Sequence, residues 1–291
     1  MLYTIQNDYL TVKINDLGAE LFSVQSKKNG CEYMWQPEEG HWEDRAPWLF
    51  PICSRLYGGY YTYRGNSYQL PPHGFAHSRY FTGMKVSDTA LHMTLTEDDE
   101  TLRMYPFEFL LTVTYTLVEN RLLIDVRIVN TGRKELIAGF GAHPGFRVPL
   151  SGNERFDDWY LEFENECEPF EMTLSRDIFW SGRRRRFPLE NGRRVRLDRS
   201  LFAKDGHFLA GTGEAVTLKS FHSERAVTLR YPGMPYLGFW SEPQDVGFVC
   251  IEPWHGLPSV TGVVDDLETK KDLFHIAPGS EQRVRLEMRF T

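Results

Sequence analysis

Long hydrophobic runs and paired cysteines are both missing from this 291-residue sequence. No stretch approaches the roughly 18 apolar residues of a membrane-spanning helix, and the first residues lack the basic start and apolar centre of a secretory signal. The four cysteines are far apart and show neither metal-ligand nor disulfide spacing: Cys31, Cys53, Cys167 and Cys250. These absences predict a cytoplasmic protein with buried free thiols and no membrane partner.

An excess of positive charge is missing too, because the formal net charge is -7. Such a chain repels a phosphate backbone unless a strong basic patch with interleaved aromatic side chains overrides the repulsion. The one strong basic cluster is Arg183 to Arg186, with four further arginines by residue 199. For this cluster a solvated hairpin around Asn191-Gly192 is favoured, while recognition of an anionic sugar or a partner protein stays open. We expect no nucleic-acid partner.

Short runs that alternate apolar and polar residues dominate the sequence, as in residues 10–14 and 121–129. A period of two is typical of β-strands, and turn signals such as Gly65-Asn66 and Glu119-Asn120 separate the runs. No 12-residue stretch has the apolar spacing of a helix, which disfavours a parallel sheet with crossover helices. The sequence therefore predicts an all-β, large antiparallel sandwich, and the absence of a linker or repeat predicts one domain over residues 1–291.

Two irregular loops carry polar side chains suited to a neutral, hydroxyl-rich ligand. Arg55 follows an apolar stretch with two prolines, and its guanidinium can fork onto hydroxyls, or else satisfy loop carbonyls at the surface. His73 and His77 stand four residues apart around Gly74. On a helix that spacing would suggest zinc, but the adjacent prolines oppose a helix and no third ligand lies at ligand spacing, so no metal site is predicted.

Three further segments carry candidate functional residues. His143 precedes Pro-Gly at a strand end, which suits proton transfer but also a structural turn, and Asp205 precedes a glycine, where an Asx turn is the competing interpretation. Glu252 ends a strongly apolar strand, so burial should raise its pKa towards that of a useful general base. Trp240 and Trp254 offer flat faces that stack on sugar rings, or else pack in the core.

Taken in order, these segments resemble the galactose mutarotase-like aldose 1-epimerases, and most closely the LacX-type branch of that family. The resemblance covers almost the entire chain and implies a β-supersandwich of about thirty short strands. It also implies His143 as the general acid on the ring oxygen and Glu252 as the base on the C1 hydroxyl, without metal or organic cofactor. The residues that it places on the sugar are Arg55, His73 and Asp205, to which stacking by Trp240 is added. Better-studied members carry Glu-Thr where this chain has Glu252-Pro253, so the identity of the sugar is not carried over.

The implied function is interconversion of the α and β anomers of a hexose by acid/base ring opening. Three alternatives stay open: a noncatalytic sugar-binding protein of the same fold, a hexose-6-phosphate 1-epimerase that uses the arginine-rich segment, and glycoside hydrolysis by Asp205 and Glu252. The expected partner is a small-molecule sugar. The sequence leaves open whether the protein is a monomer or a homodimer.

Overall fold

The fold is built from short antiparallel strands that are joined by tight turns. The computed structural model of the protein describes residues 1–291. The strands of the first half are β1 (Leu2–Gln6), β2 (Leu10–Asn15), β3 (Leu21–Ser26), β4 (Trp48–Leu49), β5 (Tyr60–Tyr63), β6 (Asn66–Gln69), β7 (Thr82–Ser87), β8 (Ala90–Thr96), β9 (Phe109–Val118), β10 (Arg121–Asn130), β11 (Leu136–Ala138) and β12 (Phe140–Ala142). Those of the second half are β13 (Gly145–Arg147), β14 (Trp159–Phe163), β15 (Phe170–Leu174), β16 (Trp180–Arg186), β17 (Arg194–Arg196), β18 (His207–Ala210), β19 (Ala215–Ser220), β20 (Ala226–Arg230), β21 (Tyr236–Trp240), β22 (Phe248–His255), β23 (Phe274–Ile276) and β24 (Glu281–Phe290).

Helical structure is confined to short turns between strands. The α-helix α1 spans Asp99–Met104, and its first turn is capped by Asp98, whose side chain accepts a hydrogen bond from the Thr101 N–H. The 3-10 helices are Tyr57–Gly59, Ala76–Ser78, Phe156–Asp158 and Arg199–Phe202. None of these helices has the length and apolar character that crossing a bilayer requires.

Two large sheets make up most of the molecule. One has nine strands in the order β17-β14-β19-β20-β24-β10-β9-β8-β7, and the other has eight, in the order β16-β15-β18-β21-β22-β12-β4 with β13 also paired to β22. Three small sheets, β1-β2-β3, β5-β6 and β11-β23, complete the fold. The predicted all-β antiparallel architecture is confirmed, with 24 strands where the resemblance implied about thirty.

Alternating burial explains why the predicted runs form strands. In β10 every second residue, from Leu122 to Asn130, is buried, while the residues between them are half-exposed. Burying one aliphatic side chain fully contributes about 1.5–3 kcal/mol, so the two-residue period fixes which face turns inward. A single cluster of 69 buried hydrophobic residues extends from Ile5 to Phe290. One domain over residues 1–291 stays a prediction, and this continuous core supports it.

Two of the predicted turns join neighbouring strands as expected. Between β5 and β6, Arg64 and Gly65 both have positive φ angles, 49° and 76°, which is the backbone of a tight type I′ hairpin. Between β9 and β10, Glu119 takes a φ of 53°. Local turn chemistry therefore identified both hairpins correctly.

The prediction that the two arginine-rich segments form a hairpin is wrong. Asn191 and Gly192 do form a tight turn, with φ angles of 50° and 65°, and it closes a bridge between Glu190 and Arg194. However, β16 pairs with β15 in the eight-stranded sheet, whereas β17 pairs with β14 in the nine-stranded sheet. The turn signal was local, and it carried no information about which distant strand each segment joins.

Strand β22 runs further than the sequence indicated. Glu252 was expected to end the strand, but it lies inside it, opposite Gly238 of β21. Pro253 has no N–H to donate, and proline is normally excluded from a central strand. On the side away from β21, the partner of β22 changes at this point from β13 to β12, so no ladder hydrogen bond is lost. The chain thereby holds Glu252 rigidly within a sheet rather than on a loop.

Candidate active site

A cavity of about 520 Å³ lies over the middle of β22 and is bordered by the loops before β5, β13 and β18. All six residues that were predicted to act on the sugar line it: Arg55, His73, His143, Asp205, Trp240 and Glu252. The structure therefore brings together side chains that are separated by up to 197 positions in the sequence, from 55 to 252. Their individual roles stay predictions.

The predicted acid and base lie in contact. Nε2 of His143 is 3.2 Å from Oε2 of Glu252, and the two side chains are only 12% and 2% exposed. His143 is placed by the turn between β12 and β13, where its N–H donates to the Pro47 carbonyl over 3.1 Å. Both groups thus face the cavity from fixed backbone positions, one on a strand and the other on the turn beside it.

Burial shifts the pKa values of this pair in opposite directions. Removal from water raises the pKa of Glu252 well above its ordinary value, and the nearby charge of Asp205 adds to the effect. Burial lowers the pKa of His143 to about 4. Both shifts favour the neutral forms, a protonated Glu252 carboxyl and an uncharged His143 ring. The expected rise in the pKa of Glu252 is confirmed.

His73 is held as a neutral hydrogen-bond donor. Its Nδ1 accepts a hydrogen bond from the backbone N–H of Ser54 at 3.1 Å, so the ring proton is on Nε2. Burial lowers its pKa well below 6.5, and the positive charge of Arg55 acts in the same direction. His73 takes a φ of 64° and Ser54 a φ of 59°, and the two backbones are joined by a hydrogen bond from the N–H of His73 to the carbonyl oxygen of Ser54.

The charged wall of the cavity contains Arg55, Lys204 and Asp205. Neither cation forms an ion pair, and Nε of Arg55 is buried without a hydrogen-bond partner. Asp205 takes a φ of 112°, and its Oδ1 accepts from the N–H of Gly206 at 2.6 Å. This bond reaches the next residue, whereas an Asx turn would engage the N–H two residues on, so the competing turn is not formed and one carboxylate oxygen accepts locally.

An aromatic corner stands beside His143, and only half of it was predicted from the sequence. Trp240 was predicted, but Trp42 is an equal partner: the two rings are 5.7 Å apart at 87°, and Trp42 lies 5.1 Å from the ring of His143. Gly145 makes room for it, since a Cβ there would be 2.7 Å from Cζ3 of Trp42. Trp42 begins the segment that also contains Arg55, and its large apolar surface in a polar stretch was the available signal.

The floor of the cavity is formed by Phe208 and Trp254, whose ring centroids are 4.4 Å apart. Trp254 is almost fully buried. Gly238 permits this packing, because a Cβ on it would lie 2.9 Å from Cε1 of Phe208 and 3.2 Å from Cβ of Glu252. Trp254 thus both packs in the interior and contributes to the cavity surface, so its two interpretations are not exclusive.

One set of three side chains has the composition of a metal site. The potential ligand atoms of His143, Cys250 and Glu252 all lie within 4.8 Å of one another. Cys250 and Glu252 are two residues apart on β22 and so lie on the same face of the sheet. Burial raises the pKa of the Cys250 thiol well above its ordinary value, which disfavours the thiolate that a metal ion requires. A metal ion bound there would occupy both members of the acid–base pair. A site that works without metal stays our prediction.

Other residues singled out from the sequence lie outside the cavity. None of the residues 183–186 lines it. Arg185 pairs with Glu171, and Arg186 pairs with Glu168 at 3.0 Å. His77 lies in the 3-10 helix Ala76–Ser78 and does not reach the cavity. The motive for assigning phosphate recognition to the arginine-rich segment is therefore removed.

Comparison with known proteins gives a consistent result. The sequence profile of the family described as Aldose 1-epimerase matches residues 1–266. The plasmid-encoded protein LacX of Lactococcus lactis subsp. lactis is 31% identical over 291 residues, which cover 96% of this chain and 95% of LacX.

Solved structures agree with the sequence matches. A galactose mutarotase related enzyme from Lactobacillus acidophilus superimposes with a TM-score of 0.94 and 33% identity, covering 100% of this chain and 97% of that one. A galactose mutarotase-like protein from Lactobacillus casei gives 0.94 and 30%, with 100% of both chains covered. A putative aldose 1-epimerase from Escherichia coli K12, at 16% identity and a TM-score of 0.79 over 100% of this chain and 99% of that one, shows the shared fold.

Proposed function

The chain belongs to the aldose 1-epimerase family of isomerases, and we propose that it interconverts the α and β anomers of a hexose in the cavity over β22. The observation that carries the proposal is the buried contact between His143 Nε2 and Glu252 Oε2, 3.2 Å apart. An acid and a base that face one ligand side by side can transfer two protons to and from neighbouring oxygens of a sugar ring.

In the proposed reaction Glu252 accepts the proton of the C1 hydroxyl while His143 donates a proton to the ring oxygen. The bond between C1 and the ring oxygen breaks, and the open-chain aldehyde forms. Rotation about the C1–C2 bond followed by the reverse proton transfers closes the ring as the other anomer. Arg55, His73 and Asp205 hold the remaining hydroxyls, and Trp240 and Trp42 pack on the sugar ring.

The pair holds one proton throughout the cycle. Ring opening requires the proton on His143, and it ends with the proton on Glu252, which is the arrangement that burial favours. Transfer of the proton from Glu252 to His143 across their contact forms the reactive arrangement, and the reverse transfers of ring closure restore it, so the cycle needs no exchange with bulk water. The two groups titrate as one unit, so the active form is lost when the pair gains a second proton or loses its only one.

Because the pair is active only with one proton, we expect a bell-shaped dependence of the rate on pH. The acid limb should fall near pH 4, because His143, with a pKa of about 4, then takes up the second proton. The alkaline limb should follow the raised pKa of Glu252, above which the pair has no proton to give. Initial rates of anomer interconversion, measured from pH 3 to 10 and corrected for the uncatalysed reaction, check it; a rate that rises steadily with pH contradicts it.

Polarimetry separates an epimerase from a noncatalytic sugar-binding protein. Freshly dissolved α-D-glucose or α-D-galactose should reach its equilibrium rotation faster with the purified protein than without it, in proportion to protein concentration. Titration calorimetry on the same sample measures binding. Binding without any acceleration would leave the protein as a sugar-binding member of the fold and would overturn the catalytic proposal.

A phosphorylated hexose is the second candidate substrate, and the observation that favours it is Lys204. This exposed cation and Arg55 line the cavity without carboxylate partners, so an anionic substituent could pair with them. The comparison is between glucose and glucose 6-phosphate, each with wild type and Lys204→Ala. If phosphate is read, kcat/KM should favour the phosphorylated sugar, and Lys204→Ala should reduce only that value; equal rates for the two sugars exclude it.

A further inference from the structure

His207 is fixed between two hydrogen-bond acceptors. It is the first residue of β18, and its Nδ1 lies 2.6 Å from Oε1 of Glu171 while its Nε2 lies 2.8 Å from the carbonyl oxygen of Leu201. A carboxylate and a backbone carbonyl both accept hydrogen bonds, so the ring is held from both sides by fixed acceptors. Its ring stacks on Phe239 with centroids 5.1 Å apart and an interplanar angle of 26°.

The carboxylate beneath His207 is itself well anchored. Glu171 is buried in β15, and its second oxygen accepts a hydrogen bond from Nε of Arg185 in β16. Burial alone would raise the pKa of Glu171, but the hydrogen bonds from His207 and Arg185 outweigh it and hold the pKa below its ordinary value. The side chains of Arg185, Glu171 and His207 therefore link three neighbouring strands of the eight-stranded sheet, β16, β15 and β18. His207 also contacts the segment that precedes β18.

Through Leu201, His207 contacts a segment that forms one wall of the cavity. Leu201 belongs to the 3-10 helix Arg199–Phe202, and the residues that follow, Ala203, Lys204 and Asp205, line the cavity with Phe202. Asp205 has a φ of 112°, a conformation that costs a non-glycine residue energy and persists only where the surroundings impose it. The hydrogen bond from His207 to the Leu201 carbonyl is a direct tie between this segment and the rigid sheet.

We propose that His207 is a positioning residue, whose ring holds residues 199–206 against the sheet so that Asp205 meets the sugar in its binding geometry. The proposal deepens the sugar-binding function proposed above and rests on it. His207 itself does not line the cavity, so it acts only through the segment that it holds. A purely structural histidine would change stability, whereas a positioning residue changes sugar affinity through Asp205.

Two conservative variants divide the contacts of His207. In His207→Gln the amide nitrogen can take the place of Nε2 and donate to Leu201, whereas in His207→Asn the shorter amide can reach only towards Glu171. His207→Asn should raise the sugar Kd and KM by about tenfold, with a much smaller change in kcat, and His207→Gln should stay near wild type. Arg186→Gln, which removes only the exposed ion pair with Glu168 and touches neither Glu171 nor Leu201, is the matched control and should leave Kd unchanged.

The route through Asp205 is tested by a double-mutant cycle. His207→Asn should weaken sugar binding in the wild-type background but add little in an Asp205→Ala background, because the residue that it positions is already gone. An equal loss in both backgrounds, or a wild-type Kd for His207→Asn, overturns the proposal. If His207→Asn does not fold, as judged by circular dichroism, His207→Phe replaces it, since its ring can keep the stacking on Phe239 while losing both donors.

A measurement without sugar separates this proposal from the function on which it rests. Amide hydrogen exchange of residues 202–206 in the ligand-free protein should be faster in His207→Asn than in wild type, and unchanged in His207→Gln. Unchanged exchange in His207→Asn contradicts the positioning role even if the wild type binds sugar. If exchange is faster in His207→Asn but the wild type binds no sugar, His207 does hold the segment in place, and it is the proposed sugar-binding function that is wrong.

Discussion

At the scale of single residues, the environment of His143 has consequences for stability as well as for catalysis. Burial lowers the pKa of His143 from the ordinary 6.5 to about 4, so the folded protein resists a proton that the unfolded chain accepts readily. Its neutral form therefore supports the fold above about pH 6.5, and this contribution is lost as the pH falls from there to about 4. The burial of this proposed proton donor therefore makes the fold sensitive to acid.

The corresponding prediction compares wild type with His143→Gln, which has no titratable group at this position. Between pH 7 and pH 4 the wild type should lose on the order of 3 kcal/mol more unfolding free energy than the variant, from the difference between 6.5 and about 4. Urea unfolding at both pH values measures the two losses. Equal losses would mean that His143 titrates normally in the folded protein.

The residue types suited to sugar chemistry could be identified from the sequence, whereas their surroundings could not. Arg55, His73 and Asp205 stood out because polar side chains interrupted the strand pattern, and the family resemblance supplied their grouping. Lys204 gave no comparable signal, because a surface lysine is common. The contact that turns His143 and Glu252 into a pair depends on a turn and a strand packing together, which no local pattern encodes.

At the scale of elements, the loop that carries His73 depends on one glycine. Gly74 has a φ of 73°, and a Cβ there would lie 2.2 Å from the carbonyl oxygen of Phe50. Backbone oxygens cannot move aside without disturbing β4, which immediately precedes Phe50 in the chain. The close approach fixes His73 next to Ser54 and keeps its side chain in the cavity lining.

Gly74→Ala should therefore lower stability by more than the roughly 1 kcal/mol of a positive-φ glycine replacement alone, and sugar affinity should fall with it. Gly65→Ala is the control, because Gly65 has a φ of 76° with nothing within 4 Å of the added Cβ. It should cost only the backbone term and leave sugar binding intact. Thermal unfolding and calorimetric titration of both variants measure the difference; similar effects at the two positions would contradict the steric argument.

Strands and tight turns were the elements that the sequence predicted best. Alternation identified β2 and β10, and the turn signals at Gly65-Asn66 and Glu119-Asn120 identified the β5–β6 and β9–β10 connections. The extent of β22 and the partner of β16 were missed for a common reason. Each depends on which strand lies alongside, and pairing between distant segments leaves no trace in the period of two.

At the scale of the whole molecule, the sheet order explains how residues far apart in the sequence reach one cavity. Strands β21, β22 and β12 lie side by side in the eight-stranded sheet, so the turn after β12 meets Glu252 and the end of β21 presents Trp240. Alternation predicted an antiparallel sandwich but not this order, and only the resemblance gave the overall architecture. The strands thus follow from local sequence patterns, whereas the site depends on which distant strands lie next to one another.

The central claim is that His143 and Glu252 interconvert anomers as one acid–base unit. The most direct test is the α-to-β exchange rate of a hexose, measured by exchange NMR with wild type, His143→Gln, Glu252→Gln and the double variant. Each single variant should lose about 10²–10⁴-fold in rate while still binding sugar, and the double variant should lose little more than the worse single one. A Glu252→Gln protein that turns over near the wild-type rate, or losses that multiply in the double variant, would contradict the account.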